Sequence, residues 1–198
     1  MNLTYILPII LFTFTMSITP GPNNIMVTAS GANFGYKKTI PHLLGIWFGF
    51  CSLMVLSALG LKQVFEIFPL MKVILKVAGV SYMLFLAYKI MRSGKSIKNE
   101  QKESPISFGQ AALFQIVNPK AVMMSITSMS VYTLEGDQFY LSAFLVIAIF
   151  FLMGFPSTSI WALFGTLIGK QLTKERNKKI FNYCLGGLTA CAALLLLI

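Results

Sequence analysis

Six stretches of mostly apolar residues follow one another along this chain of 198 residues. A helix needs roughly 20 apolar residues to cross about 30 Å of hydrocarbon, and each stretch approaches that length. The predicted spans are residues 3–19 with a short extension, 41–61, 68–89, 108–134, 139–163 or slightly beyond, and 181–198. The pattern therefore predicts an all-α integral membrane protein with six transmembrane helices.

The composition agrees with this pattern. Hydrophobic residues make up 56% of the chain, charged residues make up 11%, and the mean hydropathy is +0.75. A soluble domain contains about 25% charged residues. No Lys or Arg precedes the first apolar stretch, and no small-residue cleavage site closes it. We therefore interpret residues 3–19 as a retained span and not as a removed signal peptide.

Lys and Arg are distributed unevenly among the segments that follow or border the spans. Twelve of them accompany spans one, three and five, whereas three accompany span two and none follows span four. Basic residues favour the cytoplasmic side of a membrane, so both termini are predicted to lie outside the cytoplasm. This orientation accounts for the net charge of +10, and no nucleic-acid partner is needed to explain it.

A polar stretch near the middle divides the chain into two halves. Residues 93–107 are predicted to form a cytoplasmic linker between a first three-helix repeat, residues 1–92, and a second, residues 108–198. An odd number of spans per half makes the second half enter the membrane from the opposite side. The two repeats are therefore expected to be inverted. Sequence similarity between the halves is slight, so this prediction depends on the span count and on the placement of two motifs.

Those two motifs are TPGPNN at residues 19–24 and NPK at residues 118–120. Proline removes a backbone donor and clashes with the preceding turn, so it bends or opens a helix. Lipid cannot bond to the backbone groups that are released. We therefore predict Pro-broken helices in spans one and four, arranged around a water-accessible cavity as in secondary transporters.

In the first motif the two prolines restrict the backbone and the glycine between them is permissive. Asn23 or Asn24 is expected to cap a helix that restarts at Ile25. The amides and the dipole at such a helix N-terminus suit a carboxylate. The alternative is an ordinary turn where span one meets the membrane interface.

Lys120 lies about a dozen residues from either end of predicted span four, which is too far for its stem to reach a headgroup. It is therefore expected to face the interior of the bundle. No Asp or Glu occurs in any predicted span, so a substrate carboxylate is the candidate counter-charge. A structural pairing with carbonyls released by Pro119 is the alternative. Gln115 and Asn118 flank the lysine and can donate or accept hydrogen bonds.

Several other residues have two interpretations. His42 stands at the start of span two, where packing at headgroup level is favoured over a proton relay. Pro156 is expected to interrupt span five, and the hydroxyls that follow it either bond to released carbonyls or line the pocket. The GxxxG spacings in GIWFG and GTLIG favour close helix contact.

No spacing suggests a metal or cofactor site. The predicted substrate-binding residues are Pro20, Gly21, Pro22, Asn23, Asn24, Gln115, Asn118, Pro119, Lys120, Ser157 and Thr158.

With these residues, the chain resembles the lysine exporter superfamily, in the branch that exports homoserine, threonine, cysteine and related amino acids. The matching stretches are TPGPNNIMVTASGANFGYKKTIPHLLGIWFGF, PISFGQAALFQIVNPKAVM and WALFGTLI. The second stretch is more similar to cysteine and O-acetylserine exporters. The resemblance implies a six-helix efflux protein of the bacterial inner membrane, driven by the proton gradient. It assigns importance to Pro20, Gly21, Pro22, Asn23, Asn118 and Lys120.

The chain departs from this resemblance at one place. Some relatives carry an acidic residue in span two, where this chain has Phe50, Cys51 and Ser52, so a carboxylate-based coupling step does not carry over.

We hypothesise that the protein is an alternating-access exporter of small neutral amino acids, with protons as the coupling ion. Its expected partners are the amino-acid substrate and membrane lipid, and a homodimer is possible. The alternatives are a passive channel or a non-transporting scaffold or assembly factor. An intramembrane enzyme is disfavoured because the spans offer no paired acids and no metal site.

Overall fold

The computed structural model describes residues 3–93 and 104–195, and these residues form nine α-helices and one short 3-10 turn. Residues 94–103 of the predicted linker lie outside the described part. The all-α prediction is confirmed for the described residues. The helices are α1 Leu3–Ile18, α2 Pro22–Phe34, α3 Tyr36–Ala58, α4 Leu61–Ile67, α5 Pro69–Arg92, α6 Phe108–Val117, α7 Pro119–Tyr132, α8 Phe139–Gln171 and α9 Glu175–Leu194.

Three segments of the described chain are long and apolar enough to cross a membrane by themselves: Tyr36–Ala58, Val73–Arg92 and Gly136–Gln171. Helices α1 and α2 meet this requirement together, as a pair bent by 58° at a short break. The chain is therefore a multi-pass membrane protein. The count of six spans stays a prediction, because α6 and α7 are short and α9 begins with a charged turn.

Small residues allow two helix pairs to approach backbone to backbone. A Cβ atom at Gly165 would lie 2.2 Å from the carbonyl oxygen of Thr28, where α8 meets α2. One at Gly45 would lie 2.3 Å from the carbonyl oxygen of Phe108, where α3 meets α6. Both predicted GxxxG sequences are therefore close-packing surfaces. They fix the positions of the helices on either side of the predicted breaks.

The helix contacts are reciprocal between the two halves. Helices α1 and α2 pack on α8, while α6 and α7 pack on α3. Helix α3 also contacts α8, and α5 contacts α9. Exchanging the halves reproduces this set of contacts, which is the pattern that two related repeats would make. The inverted repeat and its boundaries remain a prediction that this pattern supports.

Two expectations about span two and span five are corrected. Helix α8 continues through Pro156 without interruption, and the Thr158 hydroxyl donates to carbonyl oxygens within the same helix, 3.2 Å from Gly154 and from Phe155. His42 is fully buried among helices, with its Nδ1 atom 3.0 Å from the Ser30 hydroxyl. It is therefore an interior side chain of the bundle.

Candidate functional site

Both proline motifs line the same cavity, of about 40 Å³. The first motif reaches it with residues of α2 and of the turn before α2. The second reaches it with Asn118, between α6 and α7, and with Lys120 of α7. Eight of the eleven predicted site residues line its wall: Gly21, Pro22, Asn23, Asn24, Gln115, Asn118, Lys120 and Thr158. The other three lie outside that wall: Pro20, Pro119 and Ser157.

The first break, residues 19–21, separates α1 from α2. Helix α2 begins at Pro22, with Gly21 as its N-cap and no side-chain cap. The expected restart at Ile25 is therefore wrong by one turn. Proline is favoured at the first helical position because its missing N–H would be unpaired there anyway.

Asn24 lies in the first turn of α2 and bonds backwards to α1. Its Nδ2 atom donates to the carbonyl oxygens of Ser17 and Thr19, each at 2.9 Å. The expectation that Asn23 or Asn24 caps the helix is wrong for this reason. The carbonyl groups at the end of α1 needed a donor, and a side chain one turn further along supplies it.

Lys120 joins the second half to the first break. Its ammonium donates to the carbonyl oxygen of Thr19 at 3.1 Å and to the Thr19 hydroxyl at 2.9 Å. No carboxylate lines the described cavity wall, so neutral oxygen atoms alone compensate this charge. Gly21 lies directly against the lysine, because a Cβ atom there would be 3.1 Å from Lys120 Cδ. A glycine at this position therefore gives the lysine room to reach Thr19.

Two amide side chains form a second connection between the halves. Asn23 Nδ2 donates to Gln115 Oε1 at 2.9 Å, and Gln115 Nε2 donates back to Asn23 Oδ1 at 3.2 Å. Gln115 Nε2 also donates to the carbonyl oxygen of Ala111 at 2.9 Å. Gln115 is buried and Asn23 is half-buried in the cavity wall, where neutral amides can donate and accept without charge.

At the second break, the side chain of Asn118 caps the helix that follows, α7. Helix α6 ends at Val117 and α7 begins at Pro119. The Asn118 side-chain oxygen accepts a hydrogen bond from the backbone N–H of Lys120 at 3.2 Å. This is the ordinary N-cap arrangement, and it leaves the lysine side chain free to extend toward the first break.

Trp47 is a cavity residue that the sequence did not single out. Its indole N–H donates to the Thr158 hydroxyl at 2.7 Å, and its ring lies against Gly154, where a Cβ atom would be 1.9 Å from a ring carbon. Trp47 lies inside the GIWFG sequence, which was interpreted as packing alone. The apolar wall of the cavity is completed by Met16, Ile46, Phe50 and Met124.

The site contains amide, hydroxyl, carbonyl and ammonium groups. Across residues 3–93 and 104–195, no group of three His, Cys, Asp or Glu side chains is arranged to hold a metal ion. The ammonium and amide groups of the site suit binding of a small polar molecule that carries a carboxylate.

Comparisons with known proteins agree with this description. A model of the LysE type translocator family matches residues 14–198. The chain is 30% identical over 169 residues to the cysteine/O-acetylserine efflux protein of Escherichia coli strain K12, an alignment that covers 85% of this chain and 86% of the relative. A protein of the same name from Shigella flexneri serotype 5b is 31% identical over the same length. No solved structure matches the chain significantly.

Proposed function

Because this chain belongs to the LysE type translocator family, we propose that it exports small neutral amino acids of the cysteine and O-acetylserine class from the cytoplasm. Its relatives, which are cysteine/O-acetylserine efflux proteins, suggest this class. The family consists of translocators and not of enzymes. The observation that carries the proposal is that both helix breaks and Lys120 line one cavity.

In the proposed binding step, a zwitterionic amino acid inserts between Lys120 and Thr19. The substrate carboxylate replaces the Thr19 oxygens as the hydrogen-bond acceptor of the Lys120 ammonium, since a charged acceptor makes the stronger hydrogen bond. The Thr19 carbonyl oxygen, now released, accepts from the substrate ammonium. The N-terminus of α2 contributes its dipole to the carboxylate. A zwitterion thus satisfies both groups without any acidic side chain.

The remaining polar groups of the wall position the rest of the substrate. Asn23, Gln115 and Asn118 offer amide donors and acceptors to the amino group and to a short polar side chain, and Thr158 offers a hydroxyl. Ser157 is a weaker candidate because it lies outside the cavity wall. A substrate with a small side chain fits the apolar wall beside Trp47.

The size of the cavity supports a conformational step. A volume of about 40 Å³ holds about three water molecules at 10–15 Å³ each, which is less than an amino acid needs. We therefore expect the Lys120 side chain and the hydrogen-bonded side chains of Asn23 and Gln115 to move when a substrate binds. We propose that this movement is coupled to alternating access, because the same contacts join the two halves of the chain.

The proposal has three further parts: export is coupled to protons, the protein lies in the bacterial inner membrane, and both termini lie outside the cytoplasm. The unequal distribution of Lys and Arg supports the orientation. The proton gradient as energy source comes from the family resemblance.

The test is uptake of a panel of labelled amino acids into inverted vesicles, with and without an acidic lumen. We expect concentrative uptake of cysteine or O-acetylserine that requires the pH gradient. Uptake that only equilibrates the label would identify a passive channel. No uptake of any amino acid above that of vesicles lacking the protein would identify a non-transporting scaffold.

A further inference from the structure

Two buried hydroxyl groups on α1 have no hydrogen-bond partner. Among the described residues, three buried side-chain polar atoms are unpaired, and two of these are Thr13 Oγ1 and Ser17 Oγ. Thr13 is 0% exposed and Ser17 is 5% exposed. Buried polar atoms are almost always paired, so each exception requires an explanation.

Other buried hydroxyls in the described bundle behave differently. Two of them, Ser30 and Ser159, pair with the side chains of His42 and Tyr36. The others bond to a carbonyl oxygen of their own helix or of the residue just before it, as Thr189 does with the Leu185 carbonyl at 2.9 Å. The same is true of Thr28, Thr39, Ser125, Ser128, Ser142, Ser157 and Thr158. Apolar surroundings alone therefore do not leave hydroxyls unpaired in this protein.

The two unpaired hydroxyls lie one turn apart on α1, and the nearer one lines the cavity. Residues four apart share one face of a helix and are separated by about 6 Å along its axis. Ser17 lines the cavity, and Thr13 lies one turn further toward the N-terminal end of α1. On the same face, one more turn away, Ile9 is fully buried. One turn beyond it, the Tyr5 hydroxyl donates to the Tyr132 carbonyl oxygen and connects α1 to α7.

We propose that Ser17 and Thr13 are successive ligands for the substrate as it leaves the cavity along α1, and that Ile9 closes the end of this path in the conformation described. The inference rests on the proposed export function, which places the N-terminal end of α1 outside the cytoplasm. A hydroxyl can both donate and accept. Each can therefore bond to the carboxylate or to the ammonium of an amino acid that passes.

The test is Thr13→Val, which keeps the shape of the side chain and removes the hydroxyl. Substrate binding to the detergent-solubilised protein is expected to stay unchanged, because Thr13 lies outside the cavity wall. The maximal uptake rate in inverted vesicles is expected to fall about tenfold, the effect of one hydrogen bond lost during passage. The melting temperature is expected to stay the same or rise, because no partner is left unpaired.

Thr189→Val is the matched control. Both threonines are 0% exposed, but the Thr189 hydroxyl is already paired within α9. This variant is expected to export like the wild type and to melt at the same or a lower temperature.

A normal uptake rate for Thr13→Val would overturn the inference, and so would a loss of uptake accompanied by a lower melting temperature, which would indicate a structural role. Concentrative uptake by the wild type in the same vesicles leaves the export function standing in either case. An inactive wild type would instead contradict the proposed function.

Discussion

The two helix breaks are stabilised in different ways. At the second break, Asn118 caps the helix that follows it, and no group from the other half takes part in that bond. At the first break, the exposed carbonyl oxygens accept from Asn24 and from Lys120, which belongs to the second half of the chain. The hydrogen bond that caps the second break is therefore made within its own half. The first break depends on a cation that the substrate also binds in the proposed binding step.

This difference assigns the breaks different mechanical roles. A capped helix start is a stable support, since the N–H of Lys120 is paired whether or not a ligand is present. The first break loses one of its donors whenever the ammonium of Lys120 turns to a carboxylate. We infer that the first break is the part that changes when substrate binds, while the second break holds the lysine in position.

The largest effect is expected for Lys120→Met. Without the ammonium, the substrate carboxylate loses its charged partner and the Thr19 carbonyl loses a donor. Hydrogen bonds to charged groups contribute about 1.5–3 kcal/mol, so uptake is expected to fall on the order of a hundredfold, which abolishes measurable export. The measurement is uptake into inverted vesicles at equal amounts of inserted protein.

Lys76→Met is the control for this prediction, because Lys76 is an exposed lysine of α5 and is absent from the cavity wall. It is expected to export like the wild type. If Lys120→Met also exports normally, the lysine is only a structural donor to the first break, and the proposed binding step is wrong.

A smaller effect is expected for Gly21→Ala, which acts on the first break alone. The new Cβ atom would lie 3.1 Å from Lys120 Cδ and 3.3 Å from Nζ, so the lysine side chain must shift by a few tenths of an ångström. Torsional strain in a side chain costs up to about 1.5 kcal/mol, or up to about tenfold in uptake. Gly187→Ala on α9 is the matched control, because a Cβ atom there meets no atom within 4 Å. Equal uptake by the two variants would remove the first break from the transport step.

Much of this site was predictable from the sequence because proline and lysine act locally in an apolar helix. Pro20, Pro119 and Lys120 cannot be placed against lipid without cost, which is sufficient to predict two breaks and an interior cation. The packing of Gly45 and Gly165 follows in the same way from the absence of a side chain. These features need no knowledge of which helices are neighbours.

The features that the sequence did not predict depend on tertiary neighbours. Asn24 was expected to cap α2, but its choice of acceptors depends on where α1 ends relative to α2. Ser17 and Trp47 stand within apolar stretches and become cavity residues only because their helices turn those faces inward. Pro156 carries the same local signal as the other prolines. Helix α8 nevertheless continues through it, where it packs on α1, α2 and α3.

Asn118→Ala tests the second break, and its expected effect is on stability. Loss of an N-cap costs about 0.5–2 kcal/mol, so the free energy of unfolding should decrease by that amount, as measured by thermal or denaturant unfolding in detergent. Asn118→Ser keeps a capping oxygen and should recover most of this stability, although it shortens a side chain of the cavity wall. If alanine and serine lower stability equally, the Asn118 oxygen does not cap α7. The two breaks would then no longer differ in the way described, because the second would also depend on contacts from outside its own residues.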